Sequence, residues 1–144
     1  MIRAPQPALV KAVLAALADD PAKASAKPFA TQAATDAVPD ELPELTTADL
    51  AQNLADFWRF GERRRGRAPM IRTAPVLGAE ACGLDRLEIV QDDAPFLVDS
   101  VMGEIAERGL SVRALFHPIV EAPRDRAGVR GPGADDPHGA SAWR

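Results

Sequence analysis

The sequence is poor in the residues that usually announce a chemistry. It has no tyrosine, one cysteine, two histidines and only 5% aromatic residues. With Cys82 alone, an intrachain disulfide and a cysteine-based zinc site are both excluded, and the chain suits a reducing cytoplasm. Excess basic charge is missing too. Seventeen Lys and Arg against 21 Asp and Glu leave a net charge of −4, which supplies no general attraction for a phosphate backbone or an anionic membrane. Neither nucleic acid nor membrane is an expected partner. No apolar run reaches the length of a membrane span, and Lys11 interrupts the N-terminal apolar stretch where a signal peptide carries no charge. The expected location is the cytoplasm.

What the chain does have is alanine in its first half. Alanine adds little apolar area, so the larger side chains of residues 50–60 and 87–120 are the expected packing material. Leu9, Val10, Val13, Leu14 and Leu17 recur at helical spacing and predict an N-terminal helix within residues 1–20. Residues 21–45 show Ala, Pro, Asp and Thr with no sustained period and read as a flexible linker. Thr46 with Asp49 three residues on has the form of a capping box, and Leu50, Leu54, Phe57 and Trp58 follow on one face. This predicts an amphipathic helix within residues 46–68, ending near Gly61. The basic cluster at residues 59–67 reads as a solvated helix end.

The clearest local signal runs from residue 87 to residue 120. A short strand at 70–76 precedes it, and within it a strand at 87–90 leads into a helix that Asp93 can cap. Pro95 falls in the first turn of that helix, and Leu97, Val98, Val101, Met102 and Ile105 form a buried stripe. Gly109 is the left-handed stop, and residues 112–120 alternate as a second strand. Residues 122–144, rich in Gly, Pro and charge, read as a loop or disordered tail. The fold class is therefore α+β. The chain is read as an incomplete ferredoxin-like βαβ unit over residues 69–121, preceded by two helices, a linker between them, and followed by a tail.

Asp92, Asp93, Pro95, Phe96, Leu97, Val98, Asp99 and Ser100, then Arg108-Gly109-Leu110 and His117-Pro118-Ile119-Val120, carry a family resemblance. Together with the upstream FWRFGERRRGRAPMIRTAPV, they resemble the N-terminal ACT-type region of the large bacterial NAD-dependent glutamate dehydrogenases. The resemblance covers residues 57–120. It implies a regulatory or assembly segment of an enzyme that oxidatively deaminates glutamate. Its partners would be the remainder of the dehydrogenase chain, further copies in an oligomer, and an amino-acid effector. The alternative is a free-standing ACT-type binding or dimerisation module; a third reading is the relic of a shortened gene.

In the complete ferredoxin-like sheet a third strand lies between the first two. This chain supplies the outer partners alone and reads as a piece of a larger protein, with an apolar helix face left open. No dinucleotide fingerprint, phosphate loop or nucleophile elbow is present, so no catalytic residue, metal ligand or cofactor contact is assigned here. NAD is expected only in the full-length enzyme.

ACT domains commonly hold an amino acid where the first strand turns into the first helix. Asp92, Asp93, Pro95, Phe96, Asp99, Ser100 and His117 are accordingly the candidate effector or interface residues. Phe96 stands where many ACT domains have a glycine, and it is expected to act as a packing anchor. Cys82 reads as an inert small residue, and GVRGPG at 128–133 as a plain loop.

Overall fold

The computed structural model describes residues 4–20, 23–37, 42–78 and 83–131, with the side chains of 23–25 excepted. Cys82 and His138 lie outside them. The described residues form helices α1 (Pro7–Ala16), α2 (Lys23–Asp36), α3 (Thr47–Phe60) and α4 (Leu97–Glu107), and strands β1 (Met70–Pro75) and β2 (Asp85–Val90). The expected α+β class holds. Among the described residues no helix is long and apolar enough to cross a membrane.

The core lies elsewhere than the large side chains suggest. Leu9, Val13 and Leu17 pack against α2 and α3, whose buried positions are Ala26, Phe29, Ala30, Ala33 and Ala34, then Ala51, Leu54, Ala55 and Trp58. Residues 21–45 thus do not form a linker along their length. Small side chains at helical spacing let helix axes approach closely, so a stripe of alanines packs well although each contributes little area. Pro28, which breaks a sequence-based reading, sits inside α2; it removes one amide from the ladder and the helix continues past it. Phe29 anchors α2, its ring centroid 4.9 Å from that of Trp58 and 6.0 Å from that of Phe57.

The α3 start is as expected. The Thr46 hydroxyl accepts from the Asp49 amide at 3.0 Å and the Asp49 carboxylate accepts from the Thr46 amide at 3.1 Å, an arrangement that contributes about 1 kcal/mol. Gly61 ends the helix.

β1 and β2 pair antiparallel, Met70 opposite Val90 and Pro75 opposite Asp85. Partners share a face, and the two faces are inverted relative to an ordinary half-buried hairpin. Toward α3 lie Arg72, Arg86 and Glu88, and the Asp56 carboxylate receives both Arg72 Nη2 at 3.0 Å and Arg86 Nη2 at 2.8 Å. Glu88, 5% exposed, pairs with Arg72 across the strands, Arg72 Nε donating at 2.7 Å. Outward lie Ile71 at 63% exposure and Leu87 at 45%. Ion pairs rather than apolar burial thus seat the hairpin on α3. Glu88→Gln is expected to destabilise the fold by about 2 kcal/mol, because it leaves two guanidinium groups short of a counter-charge. Urea unfolding at neutral pH checks it, and an unchanged midpoint would show that the network contributes nothing.

The expected βαβ unit is only half realised. α4 forms, and its Schellman ending has Leu110 N–H donating to Ile105 O at 3.2 Å and Gly109 N–H to Ala106 O at 3.0 Å, with Gly109 at φ 72°. Asp93, however, does not cap α4. The cap position is Phe96 at φ 61° with no side-chain cap, and Pro95 precedes the helix instead of opening it. Leu97, Val98, Val101, Met102 and Ile105 are the half-buried positions of α4, and none is fully buried.

Residues 112–120 are not a strand. The Gln32 carboxamide accepts from Ile119 N–H at 2.7 Å and donates to Ile119 O, and Asp36 accepts from His117 N–H at 2.7 Å. Side chains of α2 thereby satisfy backbone groups that a sheet partner would otherwise take.

Residues 122–131 are not a tail. Asp125 Oδ1 accepts from the amides of Ala127 and Val129, both at 2.9 Å, a turn of the kind aspartate nucleates. That turn docks on the end of α3, with Arg64 N–H donating to Gly128 O at 2.9 Å and Arg130 N–H to Glu62 O at 2.8 Å.

Candidate functional site

The docked turn closes one side of a cleft of about 900 Å³. Its floor is aromatic: Phe29 from α2, and Phe57 and Trp58 from α3. Ile89 and Leu97 stand on one wall, Ile119 and Val120 on another. Five arginines and three aspartates share the lining, which concentrates positive charge in a chain that is acidic as a whole.

Arg64 belongs to the basic cluster read as a solvated helix end. Its neighbours Arg63, Arg65 and Arg67 are exposed, but Arg64 is 8% exposed. It donates to Ala68 O at 3.1 Å, to Arg67 O at 2.6 Å and to Asp92 Oδ1 at 2.9 Å. This guanidinium ties the strand-to-helix turn to the segment that follows α3. Arg124 is equally occupied, donating to Gly61 O at 2.6 Å, to Gly128 O at 2.9 Å and to Glu62 O at 3.0 Å. Burial, and then the nearby Arg64 charge, lower its pKa.

Arg130 is different. It is 6% exposed, and its guanidinium carbon lies 3.4 Å from the centre of the Trp58 ring. Cation and indole face stack in a geometry that is strongest where water is excluded. Burial lowers its pKa to about 10, against the opposing pull of Asp20, and the group stays charged at neutral pH. Its folded pKa lies below the unfolded one, so above about pH 10 the unfolded chain holds more protons. The Arg130 contribution to stability is therefore unfavourable at neutral pH and improves as pH rises through that window.

The candidate residues of the strand-to-helix turn divide. Asp92, Asp93 and His117 line the cleft, whereas Pro95, Phe96, Asp99 and Ser100 do not. Asp92 is held by Arg64. Phe96 stands 76% exposed, so the expected packing role is not met among the described residues. Asp99 and Ser100 are exposed in the first turn of α4, where the Ser100 amide donates to Phe96 O at 2.9 Å. No group of three or more His, Cys, Asp and Glu side chains is placed to hold a metal ion among the described residues.

Sequence reasoning passed over Arg124, Gly128 and Arg130 because they fall in a Gly-rich, charged stretch. The usable signal was Asp125 followed by Gly128, a turn signature with an arginine on either side.

No curated protein and no solved structure matches the chain. A family model does match: that of the glutamate dehydrogenase ACT1 domain, over residues 29–141, from the aromatic anchor of α2 past the docked turn. A partial ACT-like unit accounts for β2, α4 and the turn between them, and the match extends well beyond that unit on both sides, so that the chain belongs to the glutamate dehydrogenase ACT1 domain family.

Proposed function

We propose that the chain is the regulatory and assembly segment of an NAD-dependent glutamate dehydrogenase and is not itself catalytic. Such an enzyme takes glutamate, NAD and water to 2-oxoglutarate, ammonium, NADH and a proton. The observation that carries the reading is the family match over residues 29–141. The residues in hand do not suit a dinucleotide. Residues 91–96, which join β2 to α4, contain no glycine to bring backbone against a pyrophosphate. NAD binding is accordingly ascribed to another part of the enzyme, in the cytoplasm.

The exposed apolar side chains Ile71, Leu87, Phe96 and Leu110 support the assembly half of the proposal, since the rest of the enzyme or another copy in the oligomer would bury them. Regulation would follow if an amino-acid effector favours one of two arrangements of that assembly. The full enzyme and a version lacking residues 1–120 should differ in sedimentation and in their calorimetric response to amino acids. Identical behaviour in both measurements would remove the proposal.

A free-standing binding or dimerisation module remains the second reading. It is favoured by the core that α1, α2 and α3 close among themselves. Immunoblotting of source cells separates the two: a band far above 15.3 kDa supports the dehydrogenase segment, and one at that mass supports the module.

A further inference from the structure

Arg130 Nε and Nη2 are buried and have no hydrogen-bond partner among the described residues, and the same holds for Trp58 Nε1. Nε and Nη2 are the two donors on one edge of the guanidinium plane. That edge matches the two oxygens of a carboxylate. Both residues line the cleft. Buried donors are rarely left unpaired, because each costs roughly 1–3 kcal/mol when it gives up water and gains nothing.

The buried Arg64 and the half-buried Arg124 of the lining do not share this state, since they spend their donors on backbone carbonyls and Asp92. One two-donor edge and one indole N–H, both on residues that line the cleft, are thus buried without a partner among the described residues.

We propose that this cleft binds a small organic monocarboxylate with an apolar body. Its carboxylate would pair with the Nε/Nη2 edge of Arg130 and its apolar part would lie against Phe29 and Phe57. A monoanion is favoured over phosphate on two counts. Asp92, Asp93 and Asp125 share the lining and repel a second negative charge, and half of the cleft wall is hydrocarbon, which a phosphate cannot use. The bound anion would also relieve the cost of keeping Arg130 charged out of water.

Phe96 is not part of this lining, whereas Asp92, Asp93 and Leu97 are; the groups that would hold the carboxylate, Arg130 and Trp58, come from the docked turn and from α3. The site does not depend on the dehydrogenase reading, because binding is measured on the 144-residue chain without any enzymatic assay.

The test is a titration of the chain with phenylacetate, followed by the NMR signals of the Arg130 Nε–H and the Trp58 indole N–H. The latter is separated from Trp143 with a Trp143→Phe variant. Both signals should shift saturably, and inorganic phosphate should shift them only at higher concentration. Arg130→Lys keeps the charge and loses the planar edge, and should weaken binding at least tenfold as read at Trp58. Trp58→Phe, which keeps a ring and loses the donor, should weaken it several-fold as read at Arg130. Arg65→Lys, exposed and outside the lining, should change nothing. Three results would overturn the site: no saturable shift at either group, equal affinity in Arg130→Lys while its backbone spectrum stays folded, or tighter binding of phosphate than of phenylacetate.

Discussion

Phe29→Ala is expected to lower the unfolding free energy by about 3–5 kcal/mol, the usual cost of emptying a buried aromatic site. The residue is 3% exposed, and among the described side chains of α2 it is the one large buried side chain, the other buried positions being alanines. Its ring meets both Phe57 and Trp58, so truncation leaves a void that α2 cannot fill by shifting. The alanines around it, Ala26, Ala30, Ala33 and Ala34, are already fully buried. Domains of this size are stable by only about 5–15 kcal/mol, and the variant should be near its unfolding midpoint in mild denaturant. Urea titration followed by far-ultraviolet circular dichroism measures it. A loss below about 1 kcal/mol would mean that α2 is held by its alanines and its polar straps, not by this ring.

Gly128→Ala is expected to detach the 124–131 turn. The position has φ 83°, and a Cβ built there would stand 2.1 Å from Arg64 O and 2.7 Å from Arg64 C, atoms of a backbone that has no room to yield. The left-handed conformation alone costs about 1 kcal/mol for alanine. The overlap adds more, so the turn should lose its docked state at a total of roughly 3 kcal/mol. The effect should be local. Hydrogen exchange of the Arg64 and Arg130 amides, which donate to Gly128 O and Glu62 O, should quicken sharply, while amides in the middle of α1 and α3 keep their protection. Protection retained at Arg64 would show that the turn tolerates the side chain by moving, and that the cleft does not depend on glycine there.

The two variants probe the two parts of the fold that the amino-acid pattern concealed, and for related reasons. Helical periodicity is read from large apolar side chains, and α2 buries its face with alanine, which looks the same in a helix as in a linker. Pro28 then reinforces the wrong reading. The 124–131 turn has almost nothing apolar to bury. Its order comes from arginine donors reaching backbone carbonyls about 60 residues earlier in the chain, and no local window contains both ends of such a bond. Where the governing contacts are local, the elements were legible. Thr46 with Asp49 marked the start of α3, Gly109 marked the end of α4, and the half-buried positions of α4 are the five that its spacing implied.

The cleft divides in the same way. Asp92, Asp93 and His117 were legible because they belong to a motif contiguous in sequence. Arg64 and Arg130 were not, because each acquires its role from a partner brought by a different element: Asp92 from the end of β2, and Trp58 from α3.

By itself, then, the order of residues determined the α+β class, the family, the capping box of α3, the glycine stop of α4 and the half-apolar face of α4, all of which follow from short-range geometry and side-chain spacing. Only the tertiary structure decided that the alanine-rich stretch is a core helix and that residues 112–120 lean on α2 side chains instead of a strand. It also decided that a buried arginine rests on Trp58 with one edge unpaired among the described residues. Each of these depends on which distant donors and acceptors meet once the chain is compact, and burial makes those pairings obligatory.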